Sequence, residues 1–157
     1  MMYPRYDVPS EFVYPWDRLF RLRDILSADE ICAPNSQDHN GEPVRFVIKR
    51  ALTTLTTVGR MTPFESHQRR YTFLGNLDSI EVPIFPYDND SGPFSRPGDS
   101  GAVIASADAK FIALLTGGTG PTDSCDITYG TPMYWLWKDV IKVQFPNATL
   151  YFEIPDF

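Results

Sequence analysis

The chain has 157 residues and a formal net charge of -6, which is the size of one domain. The negative charge argues against nucleic acid or an anionic membrane as the main partner, and no apolar run is long enough to span a bilayer. Hydrophobic residues make up 43% of the sequence, which is enough for a packed core. The start of the sequence does not resemble a signal peptide, so the sequence as written predicts an intracellular protein.

The first 43 residues are predicted to form an arm and linker ahead of a domain that spans residues 44–157. Proline and aromatic side chains crowd residues 1–16, which indicates an extended arm packed on the domain. A helix is predicted over Asp17–Leu26 from an apolar stripe of Leu19, Leu22 and Leu26. The segment Ser27-Ala28-Asp29-Glu30 has the pattern of a capping box and predicts a further helical turn. A polar loop is expected over Cys32–Pro43.

From Val44 onwards, short apolar segments alternate with turn residues, which predicts a mainly β fold built as a single six-stranded Greek-key barrel. Strands are predicted at Val44–Lys49, Thr53–Met61, Tyr71–Leu77, Ser79–Phe85, Ala102–Ala105, Phe111–Leu115 and Ile127–Thr131. Gly75-Asn76 is expected to turn between the third and fourth of these strands, and His67 is expected at a hairpin tip.

A helix is predicted at the carboxyl-terminal side of the barrel. Thr131 suits the cap position and Pro132 the first helical position. Apolar side chains then recur at helical spacing, at Met133, Leu136, Trp137, Val140 and Ile141. Pro146 ends the pattern, and Leu150-Tyr151-Phe152 is expected to form an edge strand or to pack against the domain.

One segment carries the candidate chemistry: Phe94-Ser95-Arg96-Pro97-Gly98-Asp99-Ser100-Gly101-Ala102. Glycine tolerates positive φ, so two glycines allow Ser100 to stand exposed on a tight turn. The amides of Gly98 and Ser100 can then point into one small space, as an oxyanion hole requires. Ser100 is the candidate nucleophile, and Gly98 and Ser100 are the candidate oxyanion donors.

This segment resembles the nucleophile segment of chymotrypsin-like serine proteases, whose motif is Gly-Asp-Ser-Gly-Gly, with Ala102 at the last position. The segment from Val47 to Gly59 resembles the streptogrisin-type pattern Val-x-Arg-x-Gly-x-Thr-Thr-Gly, with Ala51 and Leu55 in place of glycines. Two later segments resemble the family's substrate-binding strand and the strand behind its specificity pocket, namely Leu115-Thr116-Gly117-Gly118-Thr119-Gly120 and Asp126-Ile127-Thr128-Tyr129-Gly130-Thr131-Pro132. Fungal proteins with such a carboxyl-terminal half share the resemblance.

The resemblance implies a trypsin-like second barrel followed by a helix, from about Val44 to Gln144. It also implies that Thr116, Gly117 and Gly118 line the substrate groove. Phe94 stands where trypsin-like members carry the acid of the specificity pocket, so a preference for Arg or Lys at that pocket is not expected. The family's catalytic histidine and aspartate lie on a first barrel that has no counterpart in this sequence.

The identity of a general base is left open, because His39 and His67 are the two histidines and neither has the family's sequence context. The orienting acid is open among Asp29, Asp38, Asp78 and Asp88. Two functions remain open as well. The chain is either an endopeptidase half whose His/Asp half comes from another chain or a removed region, or a non-catalytic module that binds an extended peptide or protein. Without a base, the isolated chain is expected to be inactive or very slow.

No cofactor or metal is expected, since the histidines and cysteines lack metal-ligand spacing and Gly117-Gly118-Thr119-Gly120 lacks the Lys-Ser/Thr of a P-loop. Cys32 and Cys125 are too few for a disulfide framework. The basic pairs Lys49-Arg50 and Arg69-Arg70 are predicted to lie on solvated faces. The expected partners are a peptide or protein substrate and, to cover an exposed apolar face, a missing protease half, the chain's own arm or a second copy.

Overall fold

The computed structural model describes residues 20–119 and 127–153. Two helices lie in this part of the chain: α1 is Ala28–Cys32, and α2 joins Met133–Trp135, a π-helical turn at Leu136–Ile141 and Lys142–Gln144. A 3-10 turn follows at Tyr151–Glu153. The strands β1 to β9 are, in chain order, Asp24–Ile25, Ser36–Gln37, Pro43–Arg50, Thr56–Met61, Ser66–Thr72, Gly75–Pro86, Val103–Ser106, Lys110–Thr119 and Ile127–Pro132.

Six of these strands form a closed ring in the order β3, β4, β6, β9, β8 and β7, and β7 pairs again with β3. Every pair in the ring is antiparallel. β3, β4 and β6 follow one another in the ring and β7 returns to lie beside β3, which is a Greek key. β9 is the last of the described strands, yet it lies between β6 and β8. The predicted six-stranded barrel and the helix that follows it are confirmed. Within the described ranges, no helix has both the length and the apolar character needed to cross a membrane.

The core fills the inside of this ring. Alternate residues of a strand face opposite sides, and the inward-facing aliphatic side chains of β3, β4, β6, β7 and β8 are buried. Two further core residues, Leu26 and Ile31, come from the amino-terminal segment and are fully buried. Strand β1 and helix α1 therefore pack as parts of the barrel and fix its base.

Helix α1 is held at both of its ends. Ser27 and Glu30 form the predicted capping box, which is confirmed. At the other end, the buried guanidinium of Arg45 donates to the carbonyls of Glu30 and Ala33, at 2.9 and 3.2 Å. Hydrogen bonds from Lys110 and Ser27 lower the pKa of Glu30 to about 2, so this carboxylate stays ionised while it ties α1 to β8.

The predicted helix over Asp17–Leu26 is wrong in its described part. Asp24–Ile25 is a strand that pairs in parallel with the start of β8. The amides of Arg23 and Leu26 donate to the carbonyls of Ala109 and Phe111. The leucine periodicity suits a helix, but the open edge of β8 offers these amides backbone partners and the core accepts Leu26. The remainder of that prediction, residues 17–19, and the arm of residues 1–16 lie outside the described residues.

The predicted strand Tyr71–Leu77 and the turn at Gly75-Asn76 are also wrong. Strands β5 and β6 pair from Ser66–Glu81 to Thr72–Gly75, so the turn falls on Phe73 and Leu74. Their side chains are 96% and 86% exposed, and an apolar pair at a turn cannot be told from a strand by its pattern. His67 consequently lies near the base of this hairpin, within β5, and not at its tip.

Candidate functional site

Ser100 lies on a rigid turn with its side chain exposed. The glycines on either side have positive φ, +99° at Gly98 and +84° at Gly101, a conformation that a Cβ disfavours. The amides of Asp99, Gly101 and Ala102 are hydrogen-bonded to backbone carbonyls. Within the described residues, the amides of Gly98 and Ser100 have no hydrogen-bond partner. The turn thus leaves two donors free beside one exposed hydroxyl.

The buried carboxylate of Asp99 anchors this turn to the loop between β3 and β4. Oδ1 accepts from the amides of Thr53 and Thr54, at 2.8 and 3.2 Å. Oδ2 accepts from the Thr54 hydroxyl at 2.6 Å and from the Arg96 amide at 3.1 Å. Burial acts to raise the pKa of Asp99, but these four donors outweigh it and hold the pKa well below its usual range. Because Thr53 and Thr54 donate hydrogen bonds to Asp99, β4 begins at Thr56 and not at the predicted Thr53.

Lys49 completes the anchor. Its Nζ lies 3.3 Å from Asp99 Oδ2, and both side chains are fully buried. Burial lowers the pKa of Lys49, and the charge of Asp99 opposes that effect. The prediction that Lys49 lies on a solvated face is wrong, because the side chain of Lys49 points into the barrel towards Asp99.

Leu55 adopts a φ of +57°, at a position where the resembled pattern has glycine. Its carbonyl accepts from the Ala51 amide at 2.9 Å, which closes the loop. A left-handed conformation costs a residue with a Cβ about 1–2 kcal/mol. The loop keeps this conformation because Thr53 and Thr54 are fixed by Asp99.

Phe94, at the position of the family's specificity acid, belongs to the core. Its side chain is 1% exposed. The ring packs against Gly59, where a Cβ would approach Phe94 Cδ2 to 2.7 Å. The ammonium of Lys49 lies 5.3 Å from the ring centroid. The side chain of Phe94 therefore contributes to packing, and position 94 supplies no carboxylate.

The predicted groove residues Thr116, Gly117 and Gly118 lie near the end of β8. Strand β7 pairs with β8 only as far as Leu114. The next residue, Leu115, is hydrogen-bonded to the Ser100 turn, since its carbonyl accepts from the Gly101 amide at 2.7 Å. Beyond Leu115, β8 pairs with β9 on one edge, and within the described residues no strand pairs with the other edge. This open edge begins beside Ser100.

A buried acid that sequence reasoning missed lies on β6, on the other side of β9, and reaches Thr116 of β8. Glu81 is 6% exposed, and its Oε2 accepts from the hydroxyls of Thr116 and Thr131, at 3.2 and 3.1 Å. A β-bulge at Thr116 interrupts the pairing of β8 with β9, and a bulge re-aims a side chain. The two partners are 35 and 50 residues from Glu81 along the chain, so no local pattern signals the cluster.

Neither histidine is brought to Ser100. His39 lines a surface cleft of about 110 Å³ together with Phe46 and Arg60. The Ser100 turn contacts Thr53 and Thr54, which follow β3 after Arg50. Arg50 is four residues along β3 from Phe46, and four residues of a strand span roughly 13 Å. His39 and Ser100 thus lie near opposite ends of β3.

His67 lies next to Ser66, and Ser66 pairs with Glu81. Paired residues face the same side of a sheet and adjacent residues face opposite sides. Ser66 therefore faces the same side as Glu81, which contacts Thr116, and His67 faces the other side. The four candidate orienting acids are engaged elsewhere: in the described residues Asp38 and Asp88 bind loop amides, Asp78 pairs with Arg69, and Asp29 lies in the first turn of α1. Over the same residues, Ser100 Oγ makes no hydrogen bond.

In residues 20–119 and 127–153, no group of three or more histidine, cysteine, aspartate or glutamate side chains is arranged to hold a metal ion. Cys32 is exposed and has no disulfide partner among the described residues. Cys125 lies outside the described residues.

No protein-family model matches the chain, and no curated protein matches it. Among solved structures, it is similar to a chymotrypsin of Cellulomonas bogoriensis, with 18% sequence identity and a TM-score of 0.43. The similarity covers 72% of this chain and 52% of that one, so the chain spans about half the length of that structure. The single six-stranded barrel that the resemblance predicted is confirmed, as the closed ring shows by itself.

Proposed function

We propose that the chain binds an extended peptide as an added strand along the open edge of β8, next to Ser100. The observation that carries this proposal is the one-sided pairing of Gly117, Gly118 and Thr119, which bond to β9 alone among the described strands. An unpaired edge presents a row of amides and carbonyls. Peptide-binding domains that add a strand to a sheet use such an edge for affinity and the neighbouring side chains for specificity.

The test is hydrogen exchange with a neutral, β-prone probe, acetyl-Thr-Val-Thr-citrulline-Thr-Val-Thr-amide. Near saturation it is expected to slow exchange about tenfold or more at alternate amides of Thr116–Thr119, because only alternate residues of an antiparallel strand bond to a given neighbour. The control is the same peptide N-methylated at every second residue, which removes the donors that pair with β8. Equal protection by both peptides, or protection that avoids β8, would refute strand addition.

The Ser100 turn favours a second candidate function, that of the nucleophile-bearing half of a serine hydrolase. The exposed hydroxyl lies between two glycines with positive φ, and the two unbonded amides, Gly98 and Ser100, suit the role of oxyanion donors. Asp99 fixes the turn without taking part in proton transfer. A serine hydroxyl needs a base within hydrogen-bond reach, so this function requires a histidine from another polypeptide.

We expect a fluorophosphonate probe to leave the isolated chain unlabelled over a time that fully labels an intact chymotrypsin-like protease. The reason is the distance of His39 and the orientation of His67, which leave Ser100 without a base. Labelling is followed by intact-mass spectrometry, with Ser100→Ala as the blank and Ser79→Ala, another exposed serine, as the matched control.

Rapid labelling of the chain alone that disappears in Ser100→Ala would contradict this expectation. If it also disappears in His39→Ala or His67→Ala, that histidine is the base. Labelling that appears only after a histidine-bearing barrel is added, and is lost in Ser100→Ala, would support the half-enzyme.

A further inference from the structure

Glu81 is a buried carboxylate with an unused acceptor. Both of its hydrogen bonds are made by Oε2, from the hydroxyls of Thr116 and Thr131. Oε1 accepts no hydrogen bond within the described residues. Over the same residues, Arg45 Nε is the one polar side-chain atom that is both sealed from solvent and unpartnered. Oε1 of Glu81 therefore retains a narrow access to solvent although its residue is 6% exposed.

The charge of Glu81 is not balanced by any cation that the structure describes, since none of the five salt bridges includes it. The Thr116 hydroxyl also lies 3.2 Å from the Tyr129 carbonyl, so its single proton is shared between two acceptors. A buried carboxylate without a cation or a full set of donors is costly. A group that supplies N–H donors and a positive charge would remove that cost.

We propose that Glu81 binds a lysine or arginine side chain of the peptide that lies along β8, and thereby makes this site selective for basic peptides. The inference rests on the proposed strand addition. It concerns a position distinct from Phe94, where the resembled family places its specificity acid. The cationic side chain donates to Oε1, while Thr116 and Thr131 hold Oε2.

The geometry limits which side chains reach this oxygen. An added strand lies ~4.8 Å from β8, and Thr116, whose hydroxyl contacts Glu81, lies on that edge. The carboxylate is therefore about one long side chain away from the peptide backbone. Lysine and arginine have stems of three or four carbons that can lie along apolar surface and deliver the charge at their tip.

The experiment compares two peptides that differ by one functional group: acetyl-Thr-Val-Thr-Arg-Thr-Val-Thr-amide and the citrulline peptide used above. Citrulline keeps the shape of arginine without its charge. Binding is followed by amide chemical shifts of the full chain at about physiological ionic strength, where exposed charges are screened beyond ~8 Å. We expect the arginine peptide to bind roughly 10-fold to 100-fold more tightly, as hydrogen bonds to charged groups do, with the largest shifts at Glu81 and Thr116.

Glu81→Gln should abolish the difference between the two peptides. The matched control is Glu65→Gln, which removes the same charge from an exposed position next to β5 and should preserve the difference. If Glu81→Gln fails to fold, the comparison of the two peptides on the natural chain still decides the question.

Equal affinity of the two peptides, with shifts along β8, would overturn the role of Glu81 and leave strand addition intact. Absence of shifts on β8 with either peptide would overturn strand addition and this inference with it. A preference for arginine that survives Glu81→Gln but is lost in Glu65→Gln would show that Glu65 binds the arginine. That result would also refute the proposal.

Discussion

Replacing Asp99 by asparagine is expected to lower the free energy of unfolding by about 3–5 kcal/mol at pH 7, since removal of one partner from a buried ion pair leaves an uncompensated charge. The abandoned charge is that of Lys49, whose side chain is fully buried. An asparagine amide also presents N–H groups where Asp99 accepts from Thr54 and Arg96. Small domains are stable by about 5–15 kcal/mol, so this loss removes a large share. Urea unfolding monitored by tryptophan fluorescence measures it.

The matched control is Asp78→Asn, because Asp78 also pairs with a basic residue, Arg69, but both side chains are more than half exposed. Exposed pairs contribute about 0–1 kcal/mol. A second control, Lys49→Met, removes the buried ammonium and leaves Asp99 with its hydroxyl and amide donors, so it should cost less than Asp99→Asn. Adding Lys49→Met to Asp99→Asn should restore part of the lost stability. Equal losses of unfolding free energy in Asp99→Asn and Asp78→Asn would show that the buried pair of Lys49 and Asp99 stabilises the fold no more than an exposed ion pair does.

The pH dependence of this difference has a definite sign. The pKa of Asp99 is lowered in the folded chain from an ordinary value of 3.8. Its contribution is therefore fully present above that ordinary value and is lost as the pH falls towards the folded-state pKa. The stability gap between the natural chain and Asp99→Asn should stay constant from pH 7 to about pH 4 and narrow below it. Glu30 is present in both proteins, so its own pH-dependent contribution to stability cancels from the difference between them.

Replacing Phe94 by alanine is expected to cost about 3–5 kcal/mol, the usual range for a buried phenylalanine. The ring is 1% exposed within the core cluster. It fills the space left by Gly59 and lies against the ammonium of Lys49. Its removal creates a cavity next to the anchor of the Ser100 turn. Thermal unfolding by circular dichroism and urea titration both report this loss.

The control for this substitution is Phe73→Ala, because Phe73 is 96% exposed at the tip of the β5–β6 hairpin. A surface substitution of this kind changes stability by within about 0.5 kcal/mol. If Phe94→Ala proved as mild as Phe73→Ala, Phe94 would be a pocket-lining residue with room around it, and the assignment of its ring to the core would be wrong.

The barrel could be predicted from the sequence because its strands carry local signals. β-Branched and aromatic runs end at glycine, proline or polar residues, and the helix after Pro132 has a clear apolar stripe. The hairpin turn could not be placed, since Phe73 and Leu74 are apolar and only the distant pairing of Ser66 with Glu81 sets the register. The segment before Ser27 has helical periodicity, yet backbone bonds to Ala109 and Phe111 make it extended.

The candidate site could be predicted in part. The two glycines around Asp99 and Ser100 predicted a tight turn, and both have positive φ. The role of Ser100 as nucleophile stays a prediction. The burial of Lys49 and the position of Glu81 arise from contacts between residues far apart in the chain, 50 residues for Lys49 with Asp99, and charged residues give no sign of burial in a single sequence.

The position of β9 in the ring has a consequence for the synthesis of the protein. In the ring, β9 joins β6 to β8, and among the described strands β9 is translated last. While the ribosome is still making residues before Ile127, the nascent chain has two strands with an unpaired edge each and no closed core. Such edges template association with other chains, and partly folded domains are prone to aggregation. The barrel is thus acquired in one late step, and a polypeptide that ends before β9 should require a chaperone to stay in solution.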